Sequence, residues 1–300
     1  MKKVKQGKRL QQSSPMFTVL LTVLSAYTLM MLLLLLWGVL TSLKHQLDFR
    51  TNTLGLPDGK YGLAWENFSI VFSKFESIVI SGGQQKYIDF WEMLGNTILY
   101  AGVGAFFSAL VPCLVAYVCA KFDYKFNSVL YGIVIVSMVL PIVGSAPSEM
   151  KILKDLGLYN TLHGTWIQKF HFLGMYFLVF YAAFKSFPNT YMEAAYIDGA
   201  GEWRVLFSVV LPLVRNTFLT ILLIRFIDYW NDFQTPLLYV PSYPTLAVGL
   251  YNLGNSTVGE MSWVPRKMAA CIILLVPIMS LFIAFKDKLM GNLTMGGIKG

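Results

Sequence analysis

The chain has 300 residues, of which 56% are hydrophobic and only 13% are charged. Soluble domains carry about a quarter charged residues, so this deficit predicts a protein of the lipid bilayer. The formal charge of +8 does not indicate a nucleic-acid partner, because no basic stripe interleaved with aromatic residues lies outside the apolar runs. The three cysteines and three histidines lack the spacing of a metal site, so no metal ion is expected.

A membrane-spanning helix needs about 20 residues. Six apolar runs reach this length, either alone or together with flanking residues. We predict an all-α integral membrane fold over 16–290, with spans at about 16–40, 93–120, 126–148, 166–185, 213–240 and 268–285. A basic N-terminal segment (1–15) precedes the spans and a short tail (291–300) follows them. The fourth run includes Lys169, whose ammonium is expected to reach outward to water.

The distribution of charge predicts the orientation of the chain. With the N-terminus in the cytoplasm, the inward segments hold thirteen basic and five acidic residues, and this difference equals the whole formal charge. Short inward loops rich in Lys and Arg are what the positive-inside rule expects. We therefore predict a multi-pass protein of the cytoplasmic membrane with both termini inside, an outer interfacial helix within 149–165, and an outer loop at Tyr251–Gly259.

The inward loop at 186–212, between the fourth and fifth spans, is the most informative segment. Thr190 and Glu193 have the spacing of a capping box, a hydroxyl at the N-cap and a carboxylate three residues later. The helix that they start should end at Gly199, because glycine suits the left-handed position after a helix. We expect the charges of Glu193 and Asp198 to be exposed to water.

A second helical stretch follows and leads to Pro212. Its apolar stripe is formed by Trp203, Leu206, Phe207 and Val210. The sequence therefore predicts two short helices that meet at an angle on the cytoplasmic surface. An amphipathic loop resting on lipid headgroups would also explain Trp203, but it would not explain two alanines, a carboxylate and glycines together.

Several motifs resemble those of one transporter family. The loop carries Glu193-Ala194-Ala195, Gly199, Val209 and Leu211-Pro212. It resembles the EAA signature of permease subunits from binding-protein-dependent ABC importers, with Val209 in place of the usual isoleucine. Three more stretches are similar to the carbohydrate-uptake branch, and to the maltose-type permease subunit without a large outer domain: Asp198-Gly199-Ala200, Trp230-Asn231-Asp232-Phe233 with Pro236-Leu237, and the ending 292–300.

The resemblance implies that the two inward helices are coupling helices seated on a cytoplasmic ATPase dimer. The residues expected at that contact are Glu193, Ala194, Ala195, Asp198, Gly199, Trp203, Arg204 and Pro212. Contact of the C-terminal tail with the ATPase would involve Met295, Gly296, Gly297 and Lys299. Contact with an extracytoplasmic solute-binding protein would involve Tyr251, Asn252, Gly254 and Asn255.

The resemblance further implies a bacterial or archaeal source, a second permease subunit in a heterodimer, and an oligosaccharide as the cargo. No GxxxxGK[ST] phosphate-binding loop occurs in the sequence, so we expect no cofactor in this chain and ATP with Mg²⁺ on a partner subunit. The chain is expected to be a transporter subunit and not an enzyme, because no catalytic constellation is legible in the spans.

The fifth span contains the ionisable residues Arg225, Asp228 and Asp232, which share one helix face. Such residues are costly in a membrane and mark either a pathway or a buried pair. With Asn231 they are candidates for the translocation pathway, while an Arg225–Asp228 pair that holds helices together is an equal alternative. They also leave open a different function, an ion-coupled secondary carrier that uses this span as its coupling site.

Overall fold

The computed structural model describes residues 15–58, 60–81, 83–140 and 144–293. The helices within these residues are α1 (Pro15–Ser42), α2 (Gln46–Thr51), α3 (Glu66–Lys74), α4 (Phe90–Lys121), α5 (Asn127–Val139), α6 (Ala146–Asp155), α7 (Leu162–Gln168), α8 (Met175–Lys185), α9 (Thr190–Ile197), α10 (Glu202–Val205), α11 (Leu211–Asn231), α12 (Gln234–Tyr239), α13 (Leu246–Asn255) and α14 (Val264–Leu293). A π-helical turn (Leu206–Val210) joins α10 to α11, and a 3-10 turn (Glu260–Ser262) precedes α14. Strands β1 (Ser77–Ser81) and β2 (Gln84–Ile88) form an antiparallel hairpin in which Ser77 pairs with Ile88.

Four helical segments of the described residues are long and apolar enough to cross a membrane: Pro15–Ser42, Phe90–Lys121, Glu202–Asn231 and Val264–Lys286. They coincide with the first, second, fifth and sixth predicted spans. The fifth differs in its ends, because the helix begins at Glu202 and stops at Asn231 instead of running to 240. The sixth continues as helix through Leu293, into the segment that was predicted to be a tail.

The third predicted span, 126–148, is wrong as a single helix. Helix α5 ends at Val139 and is about 20 Å long at 1.5 Å per residue, and α6 starts separately at Ala146. Leu140 has an extended backbone (φ −77°, ψ 116°), as expected for a residue that precedes a proline.

The fourth predicted span, 166–185, is also wrong as a single helix. Helix α7 ends at Gln168, and α8 begins only at Met175. The backbone over 169–174 is irregular and includes Gly174 at φ +119°, which favours glycine. The α8 helix alone is about 16 Å long, so the apolar run contains a break that hydropathy does not reveal.

Helix α4 packs against α8 and α11 at the centre of the bundle. Ala101, Ala105 and Ala109 recur every fourth residue on it, and all three are fully buried. A Cβ at Gly104 would lie 3.3 Å from the ring of Tyr229 on α11. A small residue at every fourth position therefore lets the neighbouring helices approach closely.

Buried side chains form two clusters. One lies beside the hairpin and includes Val71, Phe75, Ile88, Met93 and Leu246. The other, which we call the inward cluster, includes Phe180, Phe184, Met192, Val205 and Val210. Since Met192 belongs to α9 and Val205 to α10, the inward cluster ties the loop at 186–212 to the bundle.

On the predicted outer side, Glu260 links two elements that lie far apart in sequence. Its carboxylate Oε2 accepts from Nζ of Lys74 on α3 (2.8 Å) and from Nη1 of Arg266 on α14 (3.1 Å). The hydrogen bond and charge of Lys74 lower the pKa of Glu260 below its ordinary value. Within the segment predicted to hold an outer interfacial helix, α6 is exposed except for the buried Leu153 and the half-buried Ala146 and Met150.

Candidate functional site

The first helix of the inward loop, α9, does not start with the predicted capping box. Asn189 is the N-cap, and its carbonyl accepts from the N–H groups of Met192 (2.9 Å) and Glu193 (3.0 Å). Asn189 has a helical backbone, and its Oδ1 accepts from Nζ of Lys121 (3.0 Å) at the end of α4. Lys121 also donates to the carbonyl of Phe187 (2.7 Å). The helix is therefore positioned by a lysine from α4 and not by the hydroxyl of Thr190.

The end of α9 is as predicted. Gly199 has φ +78°, and two hydrogen bonds close the turn: Gly199 N–H to the carbonyl of Tyr196 (3.0 Å) and Ala200 N–H to the carbonyl of Ala195 (2.9 Å). This pair of bonds with a left-handed glycine is the Schellman motif. Glu193 and Asp198 are exposed, as expected.

The second helix of the loop differs from its prediction, because it is not short. From Glu202 the chain stays helical to Asn231, through the π-helical turn. Leu211 donates its N–H to the carbonyl of Leu206, five residues back. Pro212, which has no N–H to donate, follows this widened turn, as is common where helices absorb a local irregularity. The second helix of the loop and the fifth predicted span are thus one continuous helical segment.

The predicted apolar stripe splits into two sets. Leu206 and Val210 are buried, whereas Trp203 is 75% exposed and Phe207 is 62% exposed. The rings of Trp203 and Phe207 stack on each other with centroids 6.3 Å apart. One turn of this helix therefore presents two aromatic rings away from the bundle.

The helix α9 adds two more exposed apolar side chains. Ile197 is 87% exposed and Tyr191 is 54% exposed. We call the set Tyr191, Ile197, Trp203 and Phe207 the corner patch. Sequence reasoning did not select Tyr191 and Ile197, although an isoleucine beside Asp198 in a polar loop was a signal. A large exposed apolar patch marks an interaction site.

The four pathway candidates of the fifth span do not share one site. Arg225 pairs with Asp228 at 3.6 Å, and its guanidinium lies 4.3 Å from the centroid of the Tyr176 ring. Asp232 instead accepts from the hydroxyl of Tyr100 (2.7 Å) and from the N–H of Thr235 (3.0 Å). Thus the predicted pair exists but is loose, and Asp232 is engaged elsewhere.

Asn231 is exposed, and its amide donates to the carbonyl of Ile227 (2.8 Å). Together with Asp228 and Asp232 it lines a shallow hollow of about 360 Å³. Arg225 lines a different cavity.

A larger cavity of about 630 Å³ lies between α6, the break after α7, α11 and α12. We call it the break cavity. Its polar lining includes Glu149, Gln168, Lys169, His171 and Arg225. Irregular backbone at membrane depth is tolerated where it is buried in protein or lines such a space.

Lys169 does not reach outward as predicted. Its ammonium lies 4.5 Å from the centroid of the Tyr229 ring and 5.8 Å from that of Tyr100, and the residue lines the break cavity. On the opposite wall, Glu149 accepts a hydrogen bond from the hydroxyl of Tyr239 (3.0 Å).

All four predicted outer contact residues belong to a helix and not to a loop, since α13 continues to Asn255. Tyr251 stacks on Phe233 with centroids 4.6 Å apart, Asn252 donates to Ser77 Oγ (3.2 Å), and Gly254 accepts from Lys267 (3.0 Å). Their contacts to other parts of the chain hold this region in place. The predicted tail residues Met295, Gly296, Gly297 and Lys299 lie outside the described residues.

The comparison with protein families covers the inward loop and the spans on both sides of it. The model of the binding-protein-dependent transport system inner membrane component matches residues 113–290. The chain belongs to this family. This membership establishes the permease as a membrane-embedded transport component, and not an enzyme.

Curated relatives resemble the permease over most of its length. It is 25% identical over 271 residues to the diacetylchitobiose uptake system permease protein NgcG of Streptomyces coelicolor, covering 87% of this chain and 82% of the relative. It is 25% identical over 298 residues to the arabinooligosaccharides transport system permease protein AraQ of Halalkalibacterium halodurans, covering 97% and 99%. A chain from a solved bacterial ABC transporter involved in the import of the acidic polysaccharide alginate matches 92% of the permease, and 97% of its own length, with a TM-score of 0.70 and 22% identity. That match shows the shared fold.

Proposed function

We propose that the permease is a six-span subunit of an ATP-driven importer for oligosaccharides, forming half of the translocation pathway. Its partners would be a second, different permease subunit, a cytoplasmic ATPase dimer that binds ATP and Mg²⁺, and an extracytoplasmic solute-binding protein. The family membership supports the import role. Two curated relatives are named for uptake of short sugar chains, which supports an oligosaccharide as cargo.

Two short apolar helices, α5 and α8, complete the six spans in this proposal. The helix α8 would cross together with α7, across the break between them. With both termini inside, the loop at 186–212 faces the cytoplasm, in agreement with its place on the basic side of the chain.

The corner patch is the observation that carries the coupling role. Ile197 is 87% exposed and Trp203 is 75% exposed, and large apolar side chains exposed together in one loop favour an interaction site. They flank the exposed charges of Glu193, Asp198 and Arg204. An apolar centre with a charged rim is the composition of a protein–protein contact, and the Schellman turn at Gly199 holds its two helices in a fixed corner.

The mechanism follows from the connection of this corner to the bundle. Met192 and Val205 are buried in the inward cluster, and the second helix is continuous with the fifth span. When nucleotide closes the ATPase pair, a push on the corner patch would rotate that span. The rotation would switch the pathway between inward-facing and outward-facing states, as expected for a packed element with two discrete arrangements.

The proposal is tested by placing a charge in the corner patch. Ile197→Asp should prevent co-purification of the ATPase subunit with the permease from membranes, because a carboxylate would be desolvated without a partner at the contact. Val258→Asp is the matched control, since Val258 is 84% exposed but lies on the predicted outer side. Equal recovery of the ATPase with both variants would contradict the coupling role.

The energy source of uptake distinguishes an ATP-driven importer from an ion-coupled carrier. Sugar uptake that needs ATP and persists when the ion gradient is collapsed supports the importer. Uptake that ends with the gradient while ATP is maintained would support the carrier and the fifth-span charges as its coupling site.

A further inference from the structure

The break cavity contains cations whose surroundings do not fully satisfy them. Lys169 makes ring contacts to Tyr229 and Tyr100, and no described residue offers its ammonium a hydrogen bond or an ion pair. Arg225 lies over the rings of Tyr176 and Tyr229, and the acid nearest to it, the half-exposed Asp228, approaches no closer than 3.6 Å. Charged groups at membrane depth are costly, and they usually face a partner or a pathway.

The nearby acids do not supply the missing partner. Asp232 is held by the Tyr100 hydroxyl at 2.7 Å, and Glu149 is held by the Tyr239 hydroxyl at 3.0 Å. Asp228 lines the separate shallow hollow. Asp232 and Glu149 therefore accept hydrogen bonds from neutral tyrosine hydroxyls, Asp228 approaches Arg225 at 3.6 Å, and Lys169 and Arg225 both line the cavity.

Two further atoms of the lining also lack partners. Nε of Arg225 and Oε1 of Gln168 are buried, and neither has a hydrogen-bond partner among the described residues. Both residues line the break cavity. Buried polar groups are nearly always satisfied, so these two atoms have unused capacity to form hydrogen bonds. One donor and one acceptor beside two cations are complementary to an anion that also carries hydroxyl groups.

We propose that the break cavity binds an anionic substituent, a carboxylate or a sulfate, on the transported sugar, with Lys169 and Arg225 as the recognising cations. Arg225 supplies a planar fork suited to such oxyanions. The ring of Tyr229 is held by its hydroxyl against Ser108 (2.6 Å) and provides a fixed apolar wall. This inference rests on the proposed import function and specifies which sugars the pathway favours.

The test uses the complete importer with its partners in proteoliposomes and three probes: a uronic-acid tetrasaccharide, its carboxyl-reduced neutral form, and a sulfated form of the neutral sugar. Lys169→Met removes the charge and retains most of the volume. It should lower uptake of the charged probes relative to the neutral probe by about tenfold or more, the loss expected for one charge-assisted hydrogen bond. Arg225→Gln should act in the same direction, and Lys169→Arg should restore the preference.

Lys151→Met is the matched control, because Lys151 is an exposed lysine of α6 that does not line the cavity. It should leave the ratio of charged to neutral uptake unchanged. Loss confined to the uronic-acid probe would identify a carboxylate, and loss confined to the sulfated probe would identify a sulfate.

An equal loss for charged and neutral probes in Lys169→Met would overturn the inference, since it would show a purely structural role. Import of the neutral probe alone by the unaltered complex would also overturn it while leaving the proposed function standing. Absence of ATP-dependent import for every probe would overturn both.

Discussion

Replacing Gly199 with alanine tests whether the corner between α9 and α10 depends on the left-handed backbone of this residue, because the change removes no side-chain contact. At φ +78° a side chain is strained, yet a Cβ there would meet no atom within 4 Å. The left-handed conformation costs an alanine about 1–2 kcal/mol, and the lower entropy of the unfolded chain offsets about 0.5–1 kcal/mol of that. The net effect is about 1 kcal/mol, or about a fivefold smaller ratio of formed to unformed corner.

The assay is the affinity of the purified ATPase subunit for the permease complex in nanodiscs. Gly199→Ala should weaken it by up to about fivefold, the factor reached when the corner is formed mainly on binding. Gly199→Asn should weaken it less, because asparagine tolerates the left-handed region. Gly201→Ala is the control, since Gly201 has φ −73° and open space around its Cα. Equal affinities for the Gly199→Ala and Gly201→Ala variants would refute the reasoning.

Three other predictions concern the bundle. If Arg225 and Asp228 are mutual partners, Arg225→Gln alone should reduce complex assembly or transport more than the double variant Arg225→Gln with Asp228→Asn. The coupling energy should be about 1 kcal/mol or less, because the pair is loose and exposed. A double variant as poor as the worse single variant would count against pairing. Lys74 lowers the folded-state pKa of Glu260, so this pair stabilises the outer region above the ordinary Glu pKa, and the stabilisation is lost as pH falls through the lowered pKa. The thermal midpoint of the Glu260→Gln variant should therefore decline less on acidification than that of the unaltered protein. Parallel declines of the two midpoints would refute this prediction. Gly104→Ala should lower the thermal midpoint by a few degrees, because the added Cβ would lie 3.3 Å from the ring of Tyr229. An unchanged thermal midpoint would show that the two helices can separate slightly without losing stability.

Local chemistry explains which features the sequence could predict. Gly199 ends its helix as expected because a left-handed glycine after a helix is a property of a few neighbouring residues. The small-residue face of α4 was also readable, since a repeat of four defines a helix face regardless of what packs on it. The matched family motifs cover this same inward loop.

The misses arose from tertiary contacts and from backbone breaks. The capping box failed because Lys121, distant in sequence, engages Asn189 and helps set the start of α9. The predicted third and fourth spans are longer than the helices α5 and α8 that the structure shows. Hydropathy counts apolar residues and does not detect the extended backbone of Leu140 or the positive φ of Gly174. The break cavity could not be foreseen, because it depends on Lys169 folding back over rings from α4 and α11.

The exposure of the corner patch also required the fold. Helical spacing predicted one stripe, but a helix that is continuous with a span buries only the side toward its neighbours. Leu206 and Val210 therefore pack inward while Trp203 and Phe207 remain exposed.

The most direct measurement of the central claim is photo-crosslinking from position 197 in native membranes. A photoreactive amino acid that replaces Ile197 should form an adduct with the mass of the ATPase subunit, and the yield should change when nucleotide is added. The same group at Val258 should give no such adduct. Adducts at position 197 with lipid alone, at any nucleotide concentration, would contradict the account.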